Sequence, residues 1–242
     1  MTHPFTTRQL PFFLTAPTPC PYLPGQLERK VFTRVDPADG PGLNDALTHA
    51  GFRRSQSILY RPACERCSAC KSVRIPVAEF TFSRSQRRVL KRNDDLMVDI
   101  RPADATTEQF ALMSRYLESR HGDGDMAGMH FLDYVGMVED GMQRTHIAEY
   151  RDPAGQLAAA ALVDELPDGF SLIYSFFDPD RAGSSPGAFM ILDHVRRAKA
   201  ASLAHVYLGY WVKGSAKMDY KARYSPLEVL EPAGWRRLEA GE

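Results

Sequence analysis

The sequence predicts a mixed α/β fold of the α+β class, and three observations lead there. Apolar residues alternate between helical spacing in some stretches and short strand-like runs in others. Phe170 to Trp211 reads strand, glycine-bearing loop, helix, strand, a crossover unit that implies a parallel pair. Charge, balanced at 30 basic against 30 acidic residues overall, is divided along the chain. Arg53 to Arg92 hold eleven Lys/Arg against two acids, whereas Asn93 to Asp180 hold five against eighteen. The basic block can meet phosphate and the acidic section cannot. With 242 residues, 44% of them hydrophobic, the chain can bury a real core, which excludes disorder as its main state. No apolar run approaches the roughly 20 residues of a membrane span. Met1 to Arg8 lacks the basic start and apolar stretch of a secretory signal. Four cysteines make no disulfide scaffold, so a reducing cytoplasm is the expected location.

The elements follow in order. Residues 1 to about 30 form an irregular arm punctuated by Pro4, Pro11, Pro17, Pro19, Pro21 and Pro24, none of which offers an amide donor. Leu43 to Gly51 reads as a short helix with Asn44 as its cap and Gly51 at its stop. Ser57 to Tyr60 and Val73 to Pro76 read as strands flanking a cysteine knuckle. Ser83 to Asn93 reads as a basic helix with Val89 and Leu90 on its apolar side. The composition switch at Pro102 to Asp104 marks a boundary between a cysteine-containing domain, 1–103, and a second domain, 104–242. In the second, Thr107 to Ser119 is a helix, followed by a glycine- and methionine-rich loop, Gly122 to Met129. His146 to Tyr150, Leu157 to Leu166 and Phe170 to Phe177 are strands joined by the turns Asp152–Gly155 and Pro167–Gly169. Pro186 to Ala201 is an amphipathic helix, and Ala204 to Trp211 is a further strand.

Several motifs carry chemistry. Cys64-x-x-Cys67-x-x-Cys70 lets thiolates converge on one centre, and Cys20 supplies a fourth thiol. Such a set suits zinc or an iron–sulfur cluster, with free thiols or a switching disulfide as the plainer readings. Gln86 to Asn93 places Arg87 with Lys91, and Arg88 with Arg92, on shared helix faces. That ridge can neutralise phosphates and position RNA without reading its bases, unless it is a solvated face. Ser184-Ser-Pro-Gly187 opens a helix, with Ser185 as cap and Pro186 first; free amides there, including that of Gly187, favour an anion. Tyr210, Trp211, Tyr220 and Tyr224 interleave with Lys213, Lys217, Lys221 and Arg223, a pattern for stacking on bases and meeting phosphate, although some of these aromatics belong to a core. His121 stands in an acidic loop and is a candidate for proton transfer.

Together, and in this order, these pieces resemble the arginyl-tRNA–protein transferase (R-transferase) family, in its bacterial aspartate/glutamate leucyltransferase branch. The resemblance rests on Cys20-Pro-Tyr-Leu23, Gly51-Phe-Arg-Arg-Ser55, Leu59-Tyr-Arg-Pro62, the cysteine knuckle, Val73-Arg-Ile-Pro-Val77 and the Gln86 to Asn93 ridge. It continues through Arg120 to Met126, Tyr174 to Asp180 and Leu208 to Lys221, so it covers nearly the whole chain. It implies a GNAT-type acyltransferase fold for the second half. It implies transfer of leucine from leucyl-tRNA to the N-terminal amine of proteins that begin with Asp or Glu, marking them for degradation. An arginyltransferase on the same scaffold, a non-catalytic tRNA-binding module sensing through iron–sulfur or zinc, and a plain acetyl-CoA enzyme of the GNAT type are the alternatives. The last leaves the knuckle and the ridge without a task. Relatives commonly carry Arg-Ser-Leu-Gly where this chain has Ser184-Ser-Pro-Gly187, which removes one cationic contact to phosphate.

The reaction implied needs no cofactor. An N-terminal amine, with a pKa of about 7.7–8, is partly neutral at cell pH. Attack on the ester then needs positioning, a proton acceptor and oxyanion stabilisation. Tyr174, Ser175, Asp178 and His121 are the candidates for these catalytic tasks. The acceptor's carboxylate needs a cation. Arg74 is the first candidate, with Arg53, Arg54 and Arg120 behind it. Arg87, Arg88, Lys91 and Arg92, with Ser185, Gly187, Tyr210, Lys213, Lys217, Tyr220 and Lys221, are expected to hold tRNA. The oligomeric state is not readable.

Overall fold

The computed structural model describes residues 10–36, 41–121, 126, 128–141, 144–239 and 241. A small antiparallel sheet comes from the N-terminal part: β1 (Phe13–Leu14), β4 (Lys30–Arg34), β5 (Arg53–Ser55) and β6 (Ile58–Pro62), in the order β1-β4-β6-β5. Between β1 and β4, β2 (Thr18–Pro19) pairs with β3 (Leu27–Glu28), which brings Cys20 into a tight reversal. The helix α1 (Pro41–His49) precedes β5. It starts earlier than expected, so Asn44 is not its cap. Asn44 instead sits inside the helix, buried, with its amide on Asp164 Oδ2 at 3.4 Å.

A second, eight-stranded sheet dominates the molecule. Its strands are β7 (Lys71–Pro76), β8 (Met97–Pro102), β9 (Thr145–Arg151), β10 (Leu157–Leu166), β11 (Gly169–Phe177), β12 (His205–Trp211), β13 (Glu228–Glu231) and β14 (Gly234–Arg237). Their order is β14-β13-β7-β12-β11-β10-β9-β8. The switch in composition near residue 103 falls just after β8. Strands from both sides of it share this sheet, since β7 lies between β13 and β12.

The sheet is covered on both faces, and β10 explains how. Ala158 to Ala161 are all buried, so the strand presents small side chains in both directions. On one face α3 (Thr107–His121) and α4 (Phe131–Glu139) pack Leu112, Met113, Leu117, Tyr134 and Val138 against Ala160 and Leu162. On the other, α5 (Pro186–Ala200) packs Phe189 and Met190 against Ala159 and Ala161. Larger residues on β10 would hold the helices away. The second basic element, α2 (Arg84–Arg92), starts with a capping box between Ser83 and Gln86 and rests on α5 through Val89 and Leu90.

The expected crossover is present. The helix α5 carries the chain from β11 to β12, which pair in parallel. The four strands from β8 to β11 form an antiparallel meander. A meander followed by one parallel pair across a helix is the arrangement the GNAT-type expectation called for. No helix among the described residues is long and apolar enough to cross a membrane.

Candidate active site

The parallel pair is short. Gly169, Phe170 and Ser171 of β11 face His205, Val206 and Tyr207 of β12, and there the ladder stops. Both strands run on, to Phe177 and Trp211, so their facing edges open into a slot. Open edges leave main-chain carbonyls without strand partners. Arg53, reaching from β5, supplies them. Its Nη1 donates to Leu208 O at 3.1 Å, and its Nη2 donates to Ile173 O at 2.8 Å and Leu172 O at 3.3 Å. Lys221, in a short 3₁₀ turn (Asp219–Arg223), donates from Nζ to Tyr210 O at 2.5 Å. Gly209 makes the fit possible. Its φ is +72°, and a Cβ there would lie 1.2 Å from Arg53 Nη1. A glycine inside an apolar strand was the sequence signal for this close approach.

Tyrosines surround the slot. Tyr210 is buried, its hydroxyl on Gly51 O at 3.0 Å and Tyr60 O at 2.9 Å. Burial pushes the Tyr22 hydroxyl up to about 12, with Tyr60 adding to it and Arg53 opposing. Tyr220 is 41% exposed and feels both Arg53 and Tyr116. Tyr116 in turn lies beside Tyr174 and meets Phe177 edge-on at 5.0 Å. Arg120 lies 5.4 Å over the same Phe177 ring, and a Cβ on Gly187 would be 3.5 Å from it. Arg53, Lys221, Tyr220, Tyr116, Tyr174, Phe177, Arg120 and the start of α5 thus form one continuous neighbourhood. Tyr22 and Tyr60 entered the sequence reading only as members of the Cys20–Leu23 and Leu59–Pro62 motifs, and none of Tyr22, Tyr60 and Tyr116 was given a site role.

Several expected residues are placed differently. Arg54, one residue from Arg53, points the other way and is buried. It grips Asp164 with Nε on Oδ2 and Nη2 on Oδ1, both at 2.7 Å, and has no role open at a surface. Arg74 already has a carboxylate, Glu228 Oε2 at 2.7 Å, and stacks 4.3 Å over Trp235. Tyr210 and Lys221 are buried and committed to main-chain carbonyls, so neither stacks on a base nor grips a phosphate at the surface. Ser185 has φ +61° and its hydroxyl makes no capping bond, although Pro186 does take the first helical position. The loop is held from the side instead. Asn93, fully buried, donates to Ser184 O and accepts from Ser184 Oγ, each at 2.9 Å. Ser184 therefore ties the end of α2 to the start of α5.

Tyr174 and Ser175 lie on β11 and are half-buried. Burial raises the Tyr174 hydroxyl well above its usual range, so it is a proton donor at neutral pH and no base. Asp178 caps the 3₁₀ turn Pro179–Ser184 and is held by Arg115 Nη2 at 2.6 Å. The His121 side chain and residues 122–125 lie outside the described residues. Arg87, Arg88, Lys91 and Arg92 are on α2, and all four are exposed. Lys213 and Lys217 are exposed beyond β12.

The four cysteines do come together. Cys20, Cys64, Cys67 and Cys70 line one cavity with Tyr22, Tyr60 and Tyr210, next to the slot. Four thiols are the donor chemistry for zinc or an iron–sulfur cluster. As they stand, however, no three His, Cys, Asp or Glu side chains among the described residues converge on a common metal position. Burial, then the neighbouring thiols Cys20, Cys64 and Cys67, push the Cys70 thiol up to about 12. It is therefore protonated at neutral pH and unsuited to be a thiolate nucleophile.

Comparison with known proteins identifies the family. The N-terminal model of arginine-tRNA-protein transferase matches residues 18–88, and the C-terminal model matches residues 108–231. Aspartate/glutamate leucyltransferase of Maricaulis maris (strain MCS10) is 66% identical over 236 residues, covering 98% of this chain and 93% of its own. The protein of the same name from Phenylobacterium zucineum (strain HLK1) is 59% identical, covering 99% and 95%. That from Caulobacter vibrioides (strain NA1000 / CB15N) is 58% identical, covering 100% and 88%. The chain belongs to the arginine-tRNA-protein transferase family.

Proposed function

We propose that this chain transfers leucine from leucyl-tRNA to the N-terminal amine of proteins that begin with Asp or Glu. The observation that carries the reading is identity of 58–66% across nearly the full chain with proteins named aspartate/glutamate leucyltransferase. Leucine is favoured over arginine as donor on the same ground.

The chemistry is an aminolysis. The neutral amine attacks the ester carbonyl, a C–N bond forms, the ribose oxygen leaves, and the amine's proton ends on that oxygen. Tyr174 keeps its proton because it is half-buried beside Tyr116, so it suits donation to the developing oxyanion. Ser175 is the next donor along β11. Asp178, held by Arg115 at 2.6 Å, is our candidate to receive and orient the incoming ammonium or amine. His121 is a second candidate for proton transfer. Tyr220, exposed between Tyr116 and Arg53, suits stacking on the terminal adenosine. The amides at the start of α5, near Gly187, meet phosphate, and Lys213 and Lys217 extend that contact. The exposed ridge of α2 meets the acceptor arm. No cofactor enters any of these steps, and we assign the enzyme to the cytoplasm, as a monomer or larger assembly.

The test is a transfer assay with peptides that start with Asp, Glu, Lys or Ala, and with tRNA charged separately with leucine or arginine. Leucine transfer confined to the Asp and Glu peptides is expected. Arginine transfer would replace the donor. Binding of tRNA without transfer from either would overturn the enzymatic reading in favour of an RNA-binding module.

A further inference from the structure

The slot between β11 and β12 has an unusual charge inventory. Arg53 and Lys221 donate to Leu208 O and Tyr210 O, carbonyls two residues apart on β12; Lys221 feels the Arg53 charge and is 5% exposed. Among the described residues neither has a carboxylate partner; both are held by main-chain and thioether atoms, namely Leu208 O, Leu172 O and Ile173 O for Arg53, and Tyr210 O and Met218 Sδ for Lys221. The contrast with other inward-facing cations is plain. Arg54 has Asp164, Arg74 has Glu228, and Arg151 has Glu149 and Glu108. Like charges brought together out of water, without a counter-charge, are unfavourable unless an anion joins them. Burial, and then Arg53, push the Lys221 amine well below its usual range. An entering anion would relieve both.

We infer that the Arg53–Lys221 slot receives the side-chain carboxylate of the acceptor's N-terminal Asp or Glu, and so sets the enzyme's preference for acidic N-termini. This rests on the function proposed above. Three features favour the acceptor over the tRNA. The two cations lie inside the strand opening, whereas the exposed cations of α2, Lys213 and Lys217 are spread over the surface, where a polyphosphate chain can run. A short side chain enters such a slot end-on; a phosphate brings the backbone on both of its sides. Arg53 is half-buried, and its Nε takes no part in the three bonds to carbonyls. An arginine pinned in this way has little side-chain entropy left to lose on binding, so it is preorganised for a carboxylate. It also lies within the tyrosine neighbourhood that reaches Tyr174, where the amine must react.

The experiment is steady-state kinetics on Lys221→Gln and Arg53→Gln, both of which keep a donor for the carbonyls and remove the charge. Peptides beginning with Asp, Glu, Asn and Gln are the acceptors, and leucyl-tRNA is varied separately. We expect the acceptor KM for Asp and Glu peptides to rise tenfold or more, with the leucyl-tRNA KM within twofold of wild type. The preference for Asp over Asn should fall by a similar factor. Circular dichroism melts show whether each variant folds. If Arg53→Gln does not fold, Lys221→Gln alone decides. An unchanged acceptor KM, or a rise confined to the leucyl-tRNA KM, would overturn the assignment, the latter by placing a tRNA phosphate in the slot. Absence of transfer by the wild-type enzyme would instead overturn the proposed function, and so is a separate result.

Discussion

The two ends of the β11–β12 pair follow opposite electrostatic rules. At the closed end the charges around Asp168 and Arg74 have partners within the chain. Asp168, in the turn before β11, contacts His205 Nδ1 at 2.8 Å and His49 Nε2 at 3.1 Å, and accepts from the Tyr207 hydroxyl at 2.8 Å. Beside it Arg74 pairs with Glu228 and donates to Tyr207 at 3.1 Å. At the open end, among the described residues, Arg53 and Lys221 have carbonyls and no carboxylate. The closed end is built for stability, since its charges are satisfied within the chain. The open end is left incomplete, which is what a binding site requires. Adjacent residues embody the same contrast, because successive side chains on a strand face opposite ways: Arg53 goes to the slot and Arg54 goes to Asp164.

The largest effect should come from breaking the satisfied side of that contrast. Arg54→Met leaves Asp164 buried with its charge uncompensated, although Thr145 Oγ1 still donates to it at 2.7 Å. Removal of one partner of a buried pair typically costs about 3–5 kcal/mol. Urea unfolding should register that loss. Replacing both members, as Arg54→Met with Asp164→Leu, should recover much of it, because a well-packed apolar pair avoids desolvation altogether. If the double variant is no better than the single one, Asp164 is needed for its bonds to Asn44 and Thr145 rather than for Arg54.

Gly209→Ala attacks the incomplete side. The new Cβ meets Arg53 Nη1, and a left-handed φ of +72° is strained for alanine. Backbone strain of this kind costs about 1–3 kcal/mol. The further consequence is specific: Arg53 must leave Leu208 O, so acceptor affinity should fall along with stability. A variant that melts lower yet keeps its acceptor KM would separate the arginine's position from its binding role.

How much of this was legible in the sequence depends on range. The helices α2, α3 and α5 and the strands β9 to β12 follow from local spacing and turn chemistry, and the structure has them within a few residues. The edge strand β8 escaped because its side chains are largely exposed on both faces, leaving no alternation to read. Helix α4 escaped because its capping box uses His130 and Asp133 in place of serine or threonine. The insertion of β7 between β12 and β13 is a matter of long-range register, which no local pattern encodes. At the site, the basic ridge and the four cysteines were legible as groups. The division of labour within Arg53-Arg54, and between Lys217 and Lys221, was not. It depends on which way a strand faces and on which lysine a turn carries inward.

The closed end should reveal itself through pH. The bonds that Asp168 accepts hold its carboxyl far below the usual carboxylate range, against the cost of burial. A depressed folded-state pKa stabilises the protein above the unfolded value, about 3.9, and the benefit is lost as pH falls through the lower folded value. Asp168→Asn should therefore destabilise by about 1.5 kcal/mol at pH 6–7, the low end for bonds to a charged group, since the side chain is 28% exposed. Below about pH 4 the wild-type advantage should shrink. A difference that stays constant from pH 7 to pH 3 would mean that shape, not charge, holds the turn.

The smallest effect on stability, and a clean one on RNA, should come from α2. Arg87, Arg88, Lys91 and Arg92 are exposed, and exposed substitutions of this kind cost within about 0.5 kcal/mol. Replacing all four by glutamine should leave the melting temperature nearly unchanged. If the ridge touches the acceptor arm, each phosphate that is no longer neutralised lowers the slope of log affinity against log salt by about 0.7–0.9. The buried pair Arg53 and Lys221 should not add to that slope, because the slot is reserved for the acceptor. Measuring the slope in the fourfold glutamine variant and in Lys221→Gln therefore divides the cations by partner. A flattened slope in the first and an unchanged one in the second assigns the ridge to tRNA and the slot to protein. The reverse would exchange the two surfaces and place the tRNA end in the strand opening.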